Sequence, residues 1–361
     1  MIRRRFYALL GIAASLATAA CSTLSYYGQA INGQYQLIER QRPISAILKD
    51  PATPAPLRDR LREVVHIRDF AVKKLDLPDN GSYHNYVDLG RQFVVWDVYA
   101  APQLSLQPRK WCFPIAGCVA YRGYFSRVAA EQYARRLHRR GYDVFVAGVT
   151  AYSTLGWLRD PVLSTILRGG NTRIAGLIFH ELAHQKLYIP GDTTFDESFA
   201  VAVSRAGVER WLLASGNSRE LHRYREQRRR QAQVMALLLR YRSHLAALYA
   251  SDEPRARKLL DKQRIFAGLR SAYARLEESW GEKYPRIGQY FRNINNAYLV
   301  PIGLYDCDVG AFDSLLASVG GKLPAFYAKA RQIGNLPPEQ RRCALAALRP
   351  PKHSGCGSNH D

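Results

Sequence analysis

A chain of 361 residues is long enough for one large domain or two modest ones with a sizeable core. Its 47% hydrophobic and 23% charged residues exclude both a disordered chain and a membrane bundle. The formal charge of +22 invites a nucleic-acid reading. The densest basic cluster, Arg223, Arg225, Arg228, Arg229 and Arg230, falls in a helical stretch without a nucleic-acid motif. It reads as a solvated helix face near anionic lipid headgroups, and no nucleic-acid partner is expected.

In chain order, Arg3, Arg4 and Arg5 form a basic start, and the apolar stretch from Phe6 to Ala17 is too short to span a bilayer. Thr18-Ala19-Ala20-Cys21 is similar to a bacterial lipoprotein signal, with residues 1–20 removed and Cys21 acylated. Thr18 stands where leucine is usual, and an ordinary cleaved signal is the alternative; either exports the chain. The expected location is the bacterial envelope, with a lipid anchor in the membrane (outer membrane favoured) and the body facing the periplasm. No later stretch is apolar for long enough to span a membrane.

Residues 25–40 form a polar helix leaving the anchor, and Pro51, Pro54 and Pro56 punctuate a turn. Leu57, Leu61, Val64, Val65, Arg68 and Phe70 fall on one largely apolar stripe that predicts a helix over 58–72. Leu77-Pro78-Asp79-Asn80-Gly81 is a turn. β-branched and aromatic runs predict strands over 93–99, 119–125 and 142–149, with a helix over 129–140 stopped by Gly141.

Cys112 and Cys118 bracket a short loop with Pro and Gly, which in an oxidising compartment predicts a disulfide. Cys307, Cys343 and Cys356 remain, an odd number whose spacing is unlike a structural zinc site.

From Ile174 the pattern is mostly helical. Residues 209–275 are Leu- and Arg-rich, interrupted near Pro254, and predict an antiparallel hairpin. Trp280 to Arg286 breaks the pattern, helices return after Gly310 and near Pro338, and Pro350 to Asp361 reads as a disordered tail. The fold class is α+β, mostly helical: residues 21–350 make one domain, with a small β-sheet and a helical subdomain over 208–290.

The chemistry concentrates in Ile174-Ala175-Gly176-Leu177-Ile178-Phe179-His180-Glu181-Leu182-Ala183-His184-Gln185. An apolar lead-in suits a buried helix, on which His180 and His184, four apart, share one face and can offer two imidazoles to one ion. Glu181 can reach the open side of that ion as a general base. The expected cofactor is one Zn2+. Downstream, Thr194 is positioned to cap a second helix, and Pro190 and Gly191 permit a reversal. Glu197 is favoured as third ligand because Phe195, Phe199 and Ala200 mark an inward face; Asp196 is the near rival and Asp192 a remoter one.

His180-Glu181-Leu182-Ala183-His184-Gln185 followed by Phe195-Asp196-Glu197-Ser198-Phe199-Ala200 resembles the family of bacterial predicted aminopeptidases, with their HELAHQ and NESFA boxes. Leu77 to Tyr83, Trp111 to Phe125, Gly141 to Val149 and Tyr152 to Leu163 extend the resemblance over nearly the whole mature chain. It implies a zincin-like, gluzincin-type core with Glu197 as third ligand. Asp196 departs from the asparagine of that box.

The expected activity is peptide-bond hydrolysis by an aminopeptidase, with peptide as partner. Tyr305 is the candidate second donor to the oxyanion, with Tyr152 the alternative. Asp160 and Asp196 are candidates for holding a substrate α-amine, and strand 142–149 for running beside the cleft. A noncatalytic envelope lipoprotein is the competing class, though it would have no use for Glu181; a cell-wall amidase is a third.

Overall fold

The computed structural model describes residues 26–113, 117–151, 159–282, 284–305 and 308–349. The signal segment, Cys21, Tyr152, Cys307, Cys356 and the tail lie outside these residues.

The chain opens with helix α1 (26–39), then β1 (Arg42–Pro43), α2 (Ile44–Lys49) and α3 (Ala55–Leu75). Pro51 lies in the expected turn, whereas Pro54 is the N-cap of α3 and Pro56 lies in its first turn, so these two start the helix. It stops at Asp76 in a left-handed conformation. The middle of the chain holds β2 (Asn85–Val87), β3 (Val95–Pro102), β4 (Trp111–Phe113), β5 (Gly117–Val119), β6 (Tyr121–Tyr124), α4 (Arg127–Arg139), β7 (Tyr142–Val149) and β8 (Val162–Leu163). Among the described residues the rest of the chain is helical: α5 (Asn171–Lys186), α6 (Thr193–Ala214), α7 (Ser218–Ala250), α8 (Arg255–Ser279), α9 (Pro285–Arg292), α10 (Asn296–Tyr305), α11 (Val309–Ser318), α12 (Leu323–Gly334) and α13 (Pro338–Leu348).

The larger sheet is antiparallel, in the order β6-β3-β7. Period-two alternation in β3 sends Val98 and Ala100 toward Ala130, Ala134 and Leu137 of α4, and Tyr99 and Ala101 toward Ala297 and Val300 of α10. A second sheet, β1-β2-β8, is small and mixed. β4 and β5 form a hairpin in which Cys112 and Cys118 face each other and are joined as a disulfide.

The main core gathers α3, α5, α6, α11 and α12 around Leu61, Ile67, Ile178, Phe179, Phe199, Phe312 and Phe326. α6 crosses close to α3: a Cβ on Gly207 would lie 2.8 Å from both Leu75 and Phe179, so only glycine permits this approach. α7 and α8 form the expected hairpin, but it begins later than the pattern indicates. Glu209 belongs to α6, and the break comes at 215–217, where Asn217 accepts a hydrogen bond from Glu220 N–H to start α7. The hairpin has its own apolar cluster of Leu237, Leu238, Leu245, Phe266, Leu269 and Tyr273, shared with Phe291, Leu299 and Ile302.

Candidate metal centre

Helix α5 carries an almost wholly apolar face. Ile174, Ala175, Ile178, Phe179, Leu182 and Ala183 are buried, and His184 is buried with them. α6 packs against it so closely that Ser204 Oγ donates to Gly176 O at 2.7 Å.

The turn between these helices decides which carboxylate meets the histidines. Gly191 takes a left-handed φ of 85°, which reverses the chain. Asp192, rather than Thr194, caps α6: its Oδ1 accepts from Phe195 N–H at 3.0 Å, while its other oxygen lies 3.1 Å from the Arg341 guanidinium. Asp196 Oδ1 accepts from Ile189 N–H at 2.7 Å, which ties the turn to the first turn of α6. Both rival carboxylates are therefore engaged in the reversal.

Glu197 points elsewhere, since successive helical residues turn by about 100°. Phe195 and Phe199 pack on Phe312 and Phe326, with ring centroids 5.0 Å and 5.6 Å apart for Phe195–Phe312 and Phe199–Phe326. Glu197, midway between these two residues, lies on the opposite side of α6. The aromatic face expected to direct it inward is thus a different face, and Glu197 is directed by facing α5.

The result is a tight trio. Nε2 of His180 and Nε2 of His184 are 3.2 Å apart, with rings nearly perpendicular at 88°. Glu197 Oε2 is 3.3 Å from His180 Nε2, and Glu197 Oε1 is 3.7 Å from His184 Nε2. Two donors each about 2.0–2.2 Å from a tetrahedral zinc ion lie roughly 3.3–3.6 Å from each other, so these separations fit one ion. The donor set fits as well: two imidazoles and one carboxylate form a three-ligand set that leaves a coordination position open. Two imidazole nitrogens this close to each other and to a carboxylate need a proton or a cation between them.

The electrostatics agree. Burial opposes ionisation of Glu197, but the His180 and His184 imidazoles beside it outweigh this and hold the carboxyl down at about 2. Burial works against a charged His184, and the neighbouring Glu197 carboxylate overcomes this and raises its pKa. Glu181 moves the other way. Burial raises it above the ordinary carboxylate range, with the charges of Glu197 and Asp160 adding to the effect and those of His180 and His184 opposing it. A carboxyl so raised is a stronger base than a solvated one.

Asp160 is buried and lies within electrostatic reach of Glu181. Asp196, the other candidate for an α-amine, is committed to the turn; burial lifts it to about 7 against the opposing Ile189 hydrogen bond. Tyr305 ends α10, but its side chain, like all of Tyr152, lies outside the described residues. The turn after α3 also reaches α5, a contact no spacing in the sequence announces. The Asn80 amide bonds the Gln185 side chain, and Gln185 Nε2 donates to Ser82 Oγ at 3.4 Å. Tyr83 follows, buried, with a left-handed φ of 63°. Its only sequence-level signal is membership of the turn-rich run from Leu77.

Residues 25–345 match a protein family described as "putative aminopeptidase". No curated protein and no solved structure matches the chain. With nearly its whole length covered, and with a His180, His184 and Glu197 cluster able to hold a metal ion, the chain belongs to this aminopeptidase family.

Proposed function

We propose that the protein is a zinc-dependent aminopeptidase of the bacterial envelope. The observation that carries the reading is the convergence of His180, His184 and Glu197 beside a buried Glu181. A zinc ion held by the three donors would supply a Lewis acid toward water and the scissile carbonyl. Glu181 takes the proton of the attacking water and returns it to the leaving amine. Asp160, buried and within electrostatic reach of Glu181, is the candidate for the carboxylate that an aminopeptidase needs for the substrate α-amine.

β7 is an edge strand of its sheet, and its last residue, Val149, packs on the core that contains α5. Among the described residues no strand pairs with its outer edge; Val144 O there accepts from Asn295 Nδ2 at 3.0 Å, and the rest of the edge is offered to a substrate backbone in extended form. In the same reading residues 1–20 are a signal, Cys21 carries the lipid, residues 21–350 form the peptidase domain with 208–290 as a helical subdomain, and 351–361 are a tail. Among the described residues no helix is long and apolar enough to cross a membrane, so a lipid at Cys21 would be the tether.

The test compares two amide substitutions in the form lacking residues 1–21. Glu181→Gln is expected to keep zinc and lose turnover of peptide substrates by at least ~100-fold. Glu197→Gln is expected to lose zinc affinity, with partial rescue by added zinc. An active Glu181→Gln enzyme would refute the mechanism, and undiminished zinc binding by Glu197→Gln would refute the ligand set.

A further inference from the structure

We propose that Tyr83 donates a hydrogen bond to the scissile carbonyl oxygen as it becomes anionic, from a turn that Asp160 and Gln185 clamp against the metal-binding helix. The inference rests on the peptidase reading and assigns a residue to a role that reading leaves open.

The first observation is the backbone. Among the described non-glycine residues only Asp76 and Tyr83 have positive φ, 55° and 63°. Asp76 needs no special account, because it terminates α3. An aromatic residue in the left-handed region is disfavoured and persists only where its surroundings hold it there.

Those surroundings are specific. Tyr83 N–H donates to Asp160 O at 2.7 Å. Asp160 N–H returns a bond to Ser82 Oγ at 3.3 Å. Gln185, the residue after His184, holds Asn80 and Ser82. The buried Arg68 guanidinium bonds Ser82 O at 3.1 Å and Asn80 O at 2.8 Å. The turn is thereby registered on the helix that carries His180, Glu181 and His184.

The second observation is the phenol. Tyr83 is only 3% exposed, yet among the described residues its hydroxyl makes no hydrogen bond. Burial, with the charges of Glu181 and Asp160 adding to it, holds this phenol protonated. A neutral donor within electrostatic reach of the proposed base is matched to an oxygen that becomes anionic during reaction. The phenol keeps its proton throughout; it stabilises charge by hydrogen bonding, and proton transfer stays with Glu181.

The test is Tyr83→Phe, which removes one oxygen and keeps the ring and the backbone. Zinc content should be unchanged, kcat should fall by ~100-fold or more, and KM should change little. Two inhibitors supply a readout independent of turnover. A phosphinic peptide presents a tetrahedral anionic oxygen, and its affinity should fall in parallel with kcat. A simple hydroxamate, which presents no such tetrahedral centre, should bind both forms equally.

Unchanged phosphinic-peptide affinity overturns the proposal, as does an equal loss for both inhibitors, which would mean general damage to the site. A zinc-loaded wild type that binds the phosphinic peptide more tightly than Tyr83→Phe but cleaves no peptide would support the donor role and sink the peptidase reading. A zinc-loaded wild type that does not bind the phosphinic peptide overturns both.

Discussion

Helices α5–α6 and α7–α8 are both antiparallel pairs, yet they treat their polar residues in opposite ways. In α5–α6 the apolar residues are spread over several faces, against α3 on one side and the α11–α12 aromatics on the other. His180, His184 and Glu197 therefore meet in a half-buried space, with His184 the most enclosed, and each finds its partner in the others. In α7–α8 the apolar residues keep to one seam, and the arginines pair with neighbours on the outside: Arg223 with Glu220, Arg229 with Glu226, and Arg257 with Asp261, at 2.8–2.9 Å. Such exposed pairs contribute about 0–1 kcal/mol each. The same supersecondary motif thus yields a reactive site where polar groups are confined and a solubilising surface where they are not.

The largest effect expected from this contrast is at His184. His184→Ala removes one of three donors and should abolish stoichiometric zinc after dialysis, as read by metal analysis; full metal content would break the site. On the other hairpin, Leu245 is fully buried in the seam. Leu245→Ala should cost about 2–5 kcal/mol in denaturant unfolding. A negligible loss would mean that the α7–α8 seam adds little to the stability of the whole.

Asp196 sharpens the comparison through pH. Its folded pKa of about 7 lies above the ordinary 3.8, so the folded chain holds a proton that the unfolded chain has released. Stability from this group is full below its ordinary pKa, falls as pH rises through the folded value, and is flat beyond it. Asp196→Asn retains an oxygen to accept from Ile189 N–H and removes the titration. The melting temperature of the metal-free variant should exceed that of wild type at pH 8 and match it near pH 4. A difference that does not change with pH would show that burial does not penalise this charge.

The smallest effect is expected at the surface. Arg229 is exposed and paired with a neighbour three residues away. Arg229→Ala should change unfolding stability by no more than about 0.5 kcal/mol, and a larger loss would place α7 in a charge network beyond this pair.

Much of this contrast is legible in the residue pattern. The spacing of His180 and His184 on an apolar run requires nothing beyond helical periodicity to place both on one face. The β-branched and aromatic run in 142–149 marks β7 to the residue, and Pro254 marks the break between α7 and α8. Local turn chemistry was harder to read. Thr194 and Asp192 are both chemically competent caps, and only the path of the turn selects Asp192. Phe195 and Phe199 do face inward, but toward α11 and α12 and away from the metal, because a helix buried on two sides has two inward faces.

What the sequence determined by itself is therefore local: a helix with two imidazoles and a carboxylate in register, a reversal after it, and an amphipathic hairpin with a basic exterior. Periodicity and turn propensity act over a few residues, and these features need no more. The tertiary structure decided which of Asp192, Asp196 and Glu197 faces the histidines, and it brought Tyr83 and Asp160 to Glu181 from turns about 100 and 20 residues earlier in the chain. Contacts over such separations depend on how α3, α5 and α6 pack, which is set by the shape of the whole core and is carried by no short window of sequence.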